Sequence, residues 1–148
     1  MTNIIFQTSL GTFQDIKGIW NEKLWPNRKS TIKEMSSMQY LDGFDMAIYD
    51  KYKPTFFIVK HEQDIVGVNS GHRTKDRLYR SRGIWVDPKF RRDGVAQILF
   101  DMTEKQAKKE NCDAIWSMPR KSALPAYEKF GFVNQGDFFD EGVEFGPN

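Results

Sequence analysis

The densest chemistry in this 148-residue chain lies at a strand-to-helix turn. Ile84-Trp85-Val86 reads as a strand end, Asp87 and Pro88 turn the chain, and Arg91-Arg92-Asp93-Gly94-Val95-Ala96 leads into a helix. The first four N–H groups of a helix lack internal partners and point outward, and the macrodipole adds partial positive charge there. Gly94 and Ala96 are small enough for a ligand to approach the backbone, and Arg91 and Arg92 add charge. Such a loop can hold a phosphate or pyrophosphate. It can equally be a capped turn with two solvated arginines. No Gly-Lys-Ser/Thr follows, which excludes a Walker loop, and a Rossmann fingerprint needs three glycines.

Downstream stands Ala123-Leu124-Pro125-Ala126-Tyr127-Glu128-Lys129-Phe130-Gly131-Phe132. Val86 with Pro88, Arg91-x-x-Gly94-x-Ala96, a helix, a strand and Ala123-x-x-x-Tyr127-Glu128-Lys129-x-Gly131-Phe132 together resemble the GNAT superfamily of acyl-CoA-dependent N-acetyltransferases. The resemblance covers residues 84–133, and two linked motifs are more specific than either alone. It implies acetyl-CoA as acetyl-donor substrate and no metal. The pyrophosphate would lie on the backbone of Arg91, Arg92, Asp93, Gly94, Val95 and Ala96. Trp85 and Val86 would offer backbone groups to the pantetheine and the acetyl carbonyl, where an N–H stabilises a tetrahedral oxyanion. Tyr127 matches the tyrosine that protonates the departing thiolate. A phenol of pKa near 10 can donate to a thiolate of slightly lower pKa. Apart from the resemblance, Tyr127 is a tyrosine packed on a short helix beside Phe130 and Phe132. Arg120 stands where the family often has an asparagine on the pantetheine path; it could pair with a phosphate or face solvent.

The general base stays open. Many relatives carry a Glu on the strand before the loop, whereas Leu78 to Val86 contains no carboxylate. Asp87 is one candidate, its other role being turn initiation before Pro88. His72 is another, through a water relay. A water chain with no dedicated residue is a third. Cys112 has no nearby His in sequence to make a thiolate. The expected chemistry is therefore direct attack by a primary amine on bound acetyl-CoA in a ternary complex, with the enzyme positioning two substrates. The alternative is a non-catalytic acyl-CoA-binding or regulatory protein of the same fold.

In the family, acceptors usually lie against the first two helices, their loop and the C-terminal strands. Here that implies Trp25, Arg28, Phe139, Asp140 and Glu141, with core packing as the competing role for Trp25. The acceptor's identity is open: a small metabolite, polyamine, drug, peptide or lysine. Many relatives dimerise, which makes a homodimer an expectation.

The elements that must position these residues follow from periodicity. Strands are predicted at residues 3–7, 56–59, 65–71, 78–86, 114–118, 132–133 and 142–145. Phe13, Ile16, Ile19, Trp20 and Leu24 recur at helical spacing behind a Thr12 N-cap. A second helix is predicted over 30–40. Val95, Ile98, Leu99, Met102 and Gln106 share a third helical stripe, and residues 123–130 form a short helix ending at Gly131. The reading is α/β (α+β): one domain over 1–148. The resemblance sharpens it to a mixed, mostly antiparallel GNAT-like sheet of six to seven strands. About four helices would flank it, with a splay between the fourth and fifth strands.

Composition narrows the rest. Apolar residues at 39% and aromatics at 14% exclude a disordered chain. One cysteine excludes an internal disulfide. No apolar run approaches the roughly 20 residues of a membrane span, and residues 1–10 do not read as a signal peptide, so a cytoplasmic location is expected. The formal charge of +2 divides unevenly. Residues 73–92 carry +6 and residues 133–148 carry −4. Given the resemblance, the basic segment is expected to meet CoA phosphates; the acidic end could receive a cationic amine or be a solvated acidic tail. Interleaved Tyr79 and Trp85 could stack on bases, but the alternating pattern explains the strand without nucleic acid.

Overall fold

The computed structural model describes residues 4–28, 31–40, 43–44 and 46–135. In chain order the main elements are β1 (Gln7–Gly11), α1 (Phe13–Ile19) running into a π-helical turn (Trp20–Leu24), a 3-10 turn (Glu34–Met38), β2 (Gln39–Tyr40), β3 (Gly43–Phe44), α2 (Met46–Lys51), β4 (Thr55–His61), β5 (Asp64–Arg73), β6 (Leu78–Val86), α3 (Val95–Lys109), β7 (Ala114–Trp116) and α4 (Leu124–Phe130). A five-stranded sheet runs β1-β4-β5-β6-β7, and β2 with β3 forms a separate ladder. The first four strands pair antiparallel, whereas β6 and β7 are parallel. A parallel pair needs a crossover, and α3 supplies it. The mixed α/β class is as expected. The strand count is lower: five strands share the main sheet among the described residues, and residues 132–133 are not a strand. The strand expected at 142–145 lies outside the described residues.

One irregularity shapes the site. β6 pairs with β7 only from Leu78 to Arg80, so residues 81–86 run on beyond β7. On its other side Val68 faces Trp85 while Ser70 faces Arg82, so Gly83 and Ile84 together oppose Asn69. This β-bulge bends the strand. Gly83 has φ +83, and a Cβ there would fall 2.5 Å from Trp20 Cζ2. The Trp20 indole N–H also donates to the Gly83 carbonyl at 2.9 Å. The bulge is thus held by a buried tryptophan that only glycine admits.

Strand alternation, reset within β5 by a bulge opposite Val59 and Lys60, splits the core into two layers. Phe56, Ile58 and Val68 pack with Phe13, Ile16, Trp20, Leu24, Trp25 and Ile32 on the α1 face. Phe57, Val59 and Val66 pack with Val95 and Leu99 on the α3 face. The buried stripe of α3 is Val95, Leu99, Phe100, Thr103 and Ala107, rotated from the predicted one. Thr103 goes inside because Asn69 Nδ2 donates to its hydroxyl at 3.0 Å, while that hydroxyl donates to the Leu99 carbonyl at 2.7 Å.

Two predicted elements are corrected. The first strand is shifted to Gln7–Gly11, because pairing with β4 sets it while Ile5 stays 78% exposed. The predicted helix over 30–40 is only a 3-10 turn among the described residues. Ser36 Oγ accepts from the Lys33 N–H at 3.0 Å and Ser37 Oγ donates to the Glu34 carbonyl at 2.7 Å. Such local bonds compete with the α-helical pattern.

Candidate functional site

Where β6 parts from β7 a groove of about 290 Å³ opens. β6 contributes Ile84, Trp85 and Val86, and α3 contributes Ala96 and Phe100. The chain after β7 and α4 contribute Arg120, Ser122, Ala123, Ala126 and Tyr127, and the π-turn adds Lys23 and Leu24. Among the described residues the lining holds three cations and no carboxylate or histidine. Arg120 donates across the groove to the Leu24 carbonyl, and burial pulls its pKa down.

The backbone is prepared on two sides. The Asp87 N–H donates to the Val66 carbonyl at 2.8 Å. By antiparallel alternation the N–H and C=O of Val86 then turn away from β5, toward the splay. That carbonyl accepts from Arg91 Nε at 3.1 Å. Opposite, α3 begins at Gly94, which has φ +82 and makes no side-chain cap. The first helical bond is Ile98 N–H to the Gly94 carbonyl at 3.1 Å, so the N–H groups of Val95, Ala96 and Gln97 have no intrahelical partner. A Cβ on Gly94 would meet nothing within 4 Å. The glycine therefore answers the backbone conformation, and the space before it is open.

Tyr127 is 1% exposed. Its ring packs on Phe100 at 4.6 Å and on Phe132 at 5.1 Å between centroids. Its hydroxyl lies 3.3 Å from Ser117 Oγ. Burial pushes the phenol pKa up, opposed by hydrogen bonding to Ser117 and Ser81 and by the charge of Arg80. The residue is therefore held in its protonated, donating form at neutral pH. Its helix is tied to α3 by Gln97 Nε2, which donates to the Ala126 carbonyl at 3.1 Å. Pro125 falls in the first turn of α4, where its missing N–H costs nothing.

The model of the acetyltransferase (GNAT) family matches residues 20–132. The chain belongs to this family. Solved GNAT structures share the fold at low identity. AAC(6')-Iy in complex with the bisubstrate analogue CoA-S-monomethyl-acetylneamine is 16% identical, with TM-score 0.67 over 94% of this chain and 99% of that one. A predicted acetyltransferase with acetyl-CoA from Clostridium acetobutylicum is 15% identical, with TM-score 0.65 over 93% and 96%. Glucosamine-6-phosphate N-acetyltransferase from Arabidopsis thaliana is 15% identical, with TM-score 0.62 over 93% and 97%. No curated protein matches the chain.

Of the expected site residues, the groove gathers Trp85, Val86, Arg91, Ala96, Arg120 and Tyr127. Arg92, Asp93 and Gly94 form the exposed turn before α3, and the Val95 side chain is buried beneath. The other GNAT expectations fare differently. Asp87 caps the turn after β6, its carboxylate accepting from the Lys89 N–H at 2.9 Å, and it does not line the groove. His72 is fully buried in β5, with its pKa pushed down to about 3 by burial and by Arg80 and Arg82. At neutral pH so weak a base, shut away from water, carries no proton relay. Trp25 is a core residue at 1% exposure, 5.0 Å from Trp20, with the Arg82 and Arg28 guanidiniums over its ring. Arg28 donates to Ser36 Oγ at 3.2 Å. Neither lines this groove among the described residues, and Trp25 takes the core-packing role. Phe139, Asp140 and Glu141 lie outside the described residues. Cys112 is half-buried, its thiol pKa raised by burial, and it lines a separate depression beside Phe130 and Phe132. Sequence reading missed Ser117, Gln97 and Lys23, which belong to no motif. Lys23 carried only a faint signal, its place beside Leu24 at the end of the first helical stripe.

Proposed function

We propose that this GNAT protein transfers an acetyl group from acetyl-CoA to a primary amine, by direct attack within a ternary complex. The observation that carries the reading is the meeting of three devices on one groove: the turned-out backbone of Val86, the open N-terminus of α3, and the buried phenol of Tyr127. The α3 N–H groups with Arg91, and the Lys23 and Arg120 charges, suit the phosphates of the donor. The Val86 N–H suits the acyl oxygen as negative charge gathers on it. Tyr127 supplies a proton to the departing sulfur. CoA-bearing ligands in structures of the same fold support the choice of donor.

With no carboxylate or histidine among the described lining residues, this reading has the amine arrive neutral or lose its proton to water. The same observation favours a second reading, a non-catalytic acyl-CoA binder. We take residues 1–148 as one domain under either reading. A free-thiol assay with acetyl-CoA and a panel of sugar, polyamine, drug and peptide amines separates the two. Amine-dependent release of CoA is expected. Donor binding without release for any amine supports the binder instead.

A further inference from the structure

We propose that Ser117 is a positioning residue that holds the Tyr127 proton before transfer and steadies the phenolate after it. This rests on the reading of Tyr127 as the acid. Ser117 is the first residue past β7, where the chain leaves the sheet. The β6–β7 ladder ends at Arg80 paired with Trp116, so the Ser81 carbonyl is the first beyond it. Ser117 Oγ donates to that carbonyl at 2.7 Å. A serine hydroxyl has one proton, and this shorter contact takes it. With that proton taken, the 3.3 Å contact between the two hydroxyl oxygens leaves the phenol as donor and Ser117 as acceptor. The resting proton of Tyr127 is thus held at the edge of the splay, with the phenol on the groove lining.

Transfer reverses the arrangement. The O–H bond of Tyr127 breaks, its proton bonds to the CoA sulfur, and the electron pair stays on the phenolate oxygen. Rotation of the Ser117 O–H about its Cβ–Oγ bond turns the proton from the Ser81 carbonyl to that oxygen, which is already 3.3 Å away. Ser117 stays protonated throughout. The proton shed by the acylated amine returns to the phenolate through solvent, so the cycle balances. In a site this buried, a phenolate left with the Ser81 hydroxyl alone would be less stable than one bonded by both serines.

A double-mutant cycle tests the proposal on single-turnover rates at saturating acetyl-CoA. Ser117→Ala is expected to slow transfer by roughly 10- to 100-fold, less than the full worth of a general acid, with the acetyl-CoA Kd unchanged. Ser117→Thr, which keeps the hydroxyl, is expected to recover most of the rate. In a Tyr127→Phe background Ser117→Ala is expected to cost almost nothing, because its partner is gone. Ser117→Cys serves as the second hydroxyl-free variant should alanine impair folding. An equal loss from Ser117→Ala in both backgrounds, or a Thr variant no faster than Ala, overturns the proposal. If Tyr127→Phe is itself as fast as wild type, the acid reading fails instead.

Discussion

Tyr127 combines a fully enclosed ring, a hydroxyl beside Ser117 and a place on the groove lining. Its replacement by phenylalanine keeps the Phe100 and Phe132 packing and removes only the proton. We expect Tyr127→Phe to lower kcat by about 10²-fold or more, with the acetyl-CoA Kd unchanged by calorimetry. An unchanged kcat would show that the thiolate leaves without this acid. Tyr127 was legible in sequence because its motif is contiguous and rides on one short helix. His72, Arg80 and Arg82 were not. Along β6 the run Leu78-Tyr79-Arg80-Ser81-Arg82 alternates like a solvated face, yet Arg80 and Arg82 are each 1% exposed. Their guanidiniums lie over the rings of Trp116 and Trp25, at 5.1 and 4.9 Å from the centroids. Stacking on aromatic faces lets arginine go where a strand pattern predicts water. Those rings come from elements remote in sequence, so no local pattern shows them.

At the scale of elements, the groove depends on β6 leaving its neighbour, and Gly83 sets the bend. Gly83→Ala places a Cβ against the Trp20 indole at a positive φ. Overpacking and left-handed strain together cost about 2–4 kcal/mol, to be read as a lowered denaturant midpoint with the m-value unchanged. A variant as stable as wild type would mean that the Trp20–Gly83 contact does not hold the bulge. The strand–turn–helix unit from β6 to α3 was legible because each signal in it is local: Pro88 after the strand, Gly94 at the helix start, then a 3.6-residue period. The start of β1 was not, since an edge strand takes its register from β4 rather than from its own apolar run. The bulge was also hidden, because Gly83 declares itself only against Trp20, brought in from a distant helix.

For the molecule as a whole, the uneven charge takes on a different meaning. The +6 segment does not form one basic surface. Arg80 and Arg82 are buried, Arg77 pairs with Asp113 at 3.1 Å, and Arg91 is the one cation of the segment on the groove lining among the described residues. The groove's other cations, Lys23 and Arg120, come from elsewhere in the chain. Burial of a neutral histidine has a global consequence. The folded pKa of His72, near 3, lies below its ordinary 6.5. Between those values the unfolded chain binds a proton that the folded chain does not, so stability is full above about pH 6.5 and declines as pH falls toward 3. His72→Asn, which cannot titrate, is expected to flatten that decline in Tm between pH 6.5 and 4. An equal slope in both proteins would show that His72 is not the group responsible. Among the described residues no helix is long and apolar enough to cross a membrane.

Whether the β6–α3 groove receives acetyl-CoA is decided by calorimetric titration of the donor into the wild-type chain and into Ala96→Trp, which sets an indole on the groove lining away from the buried stripe of α3. Saturable binding by the wild type, lost in a variant of similar Tm, is the predicted result. No binding by the wild type, or equal affinity in both proteins, would contradict the account.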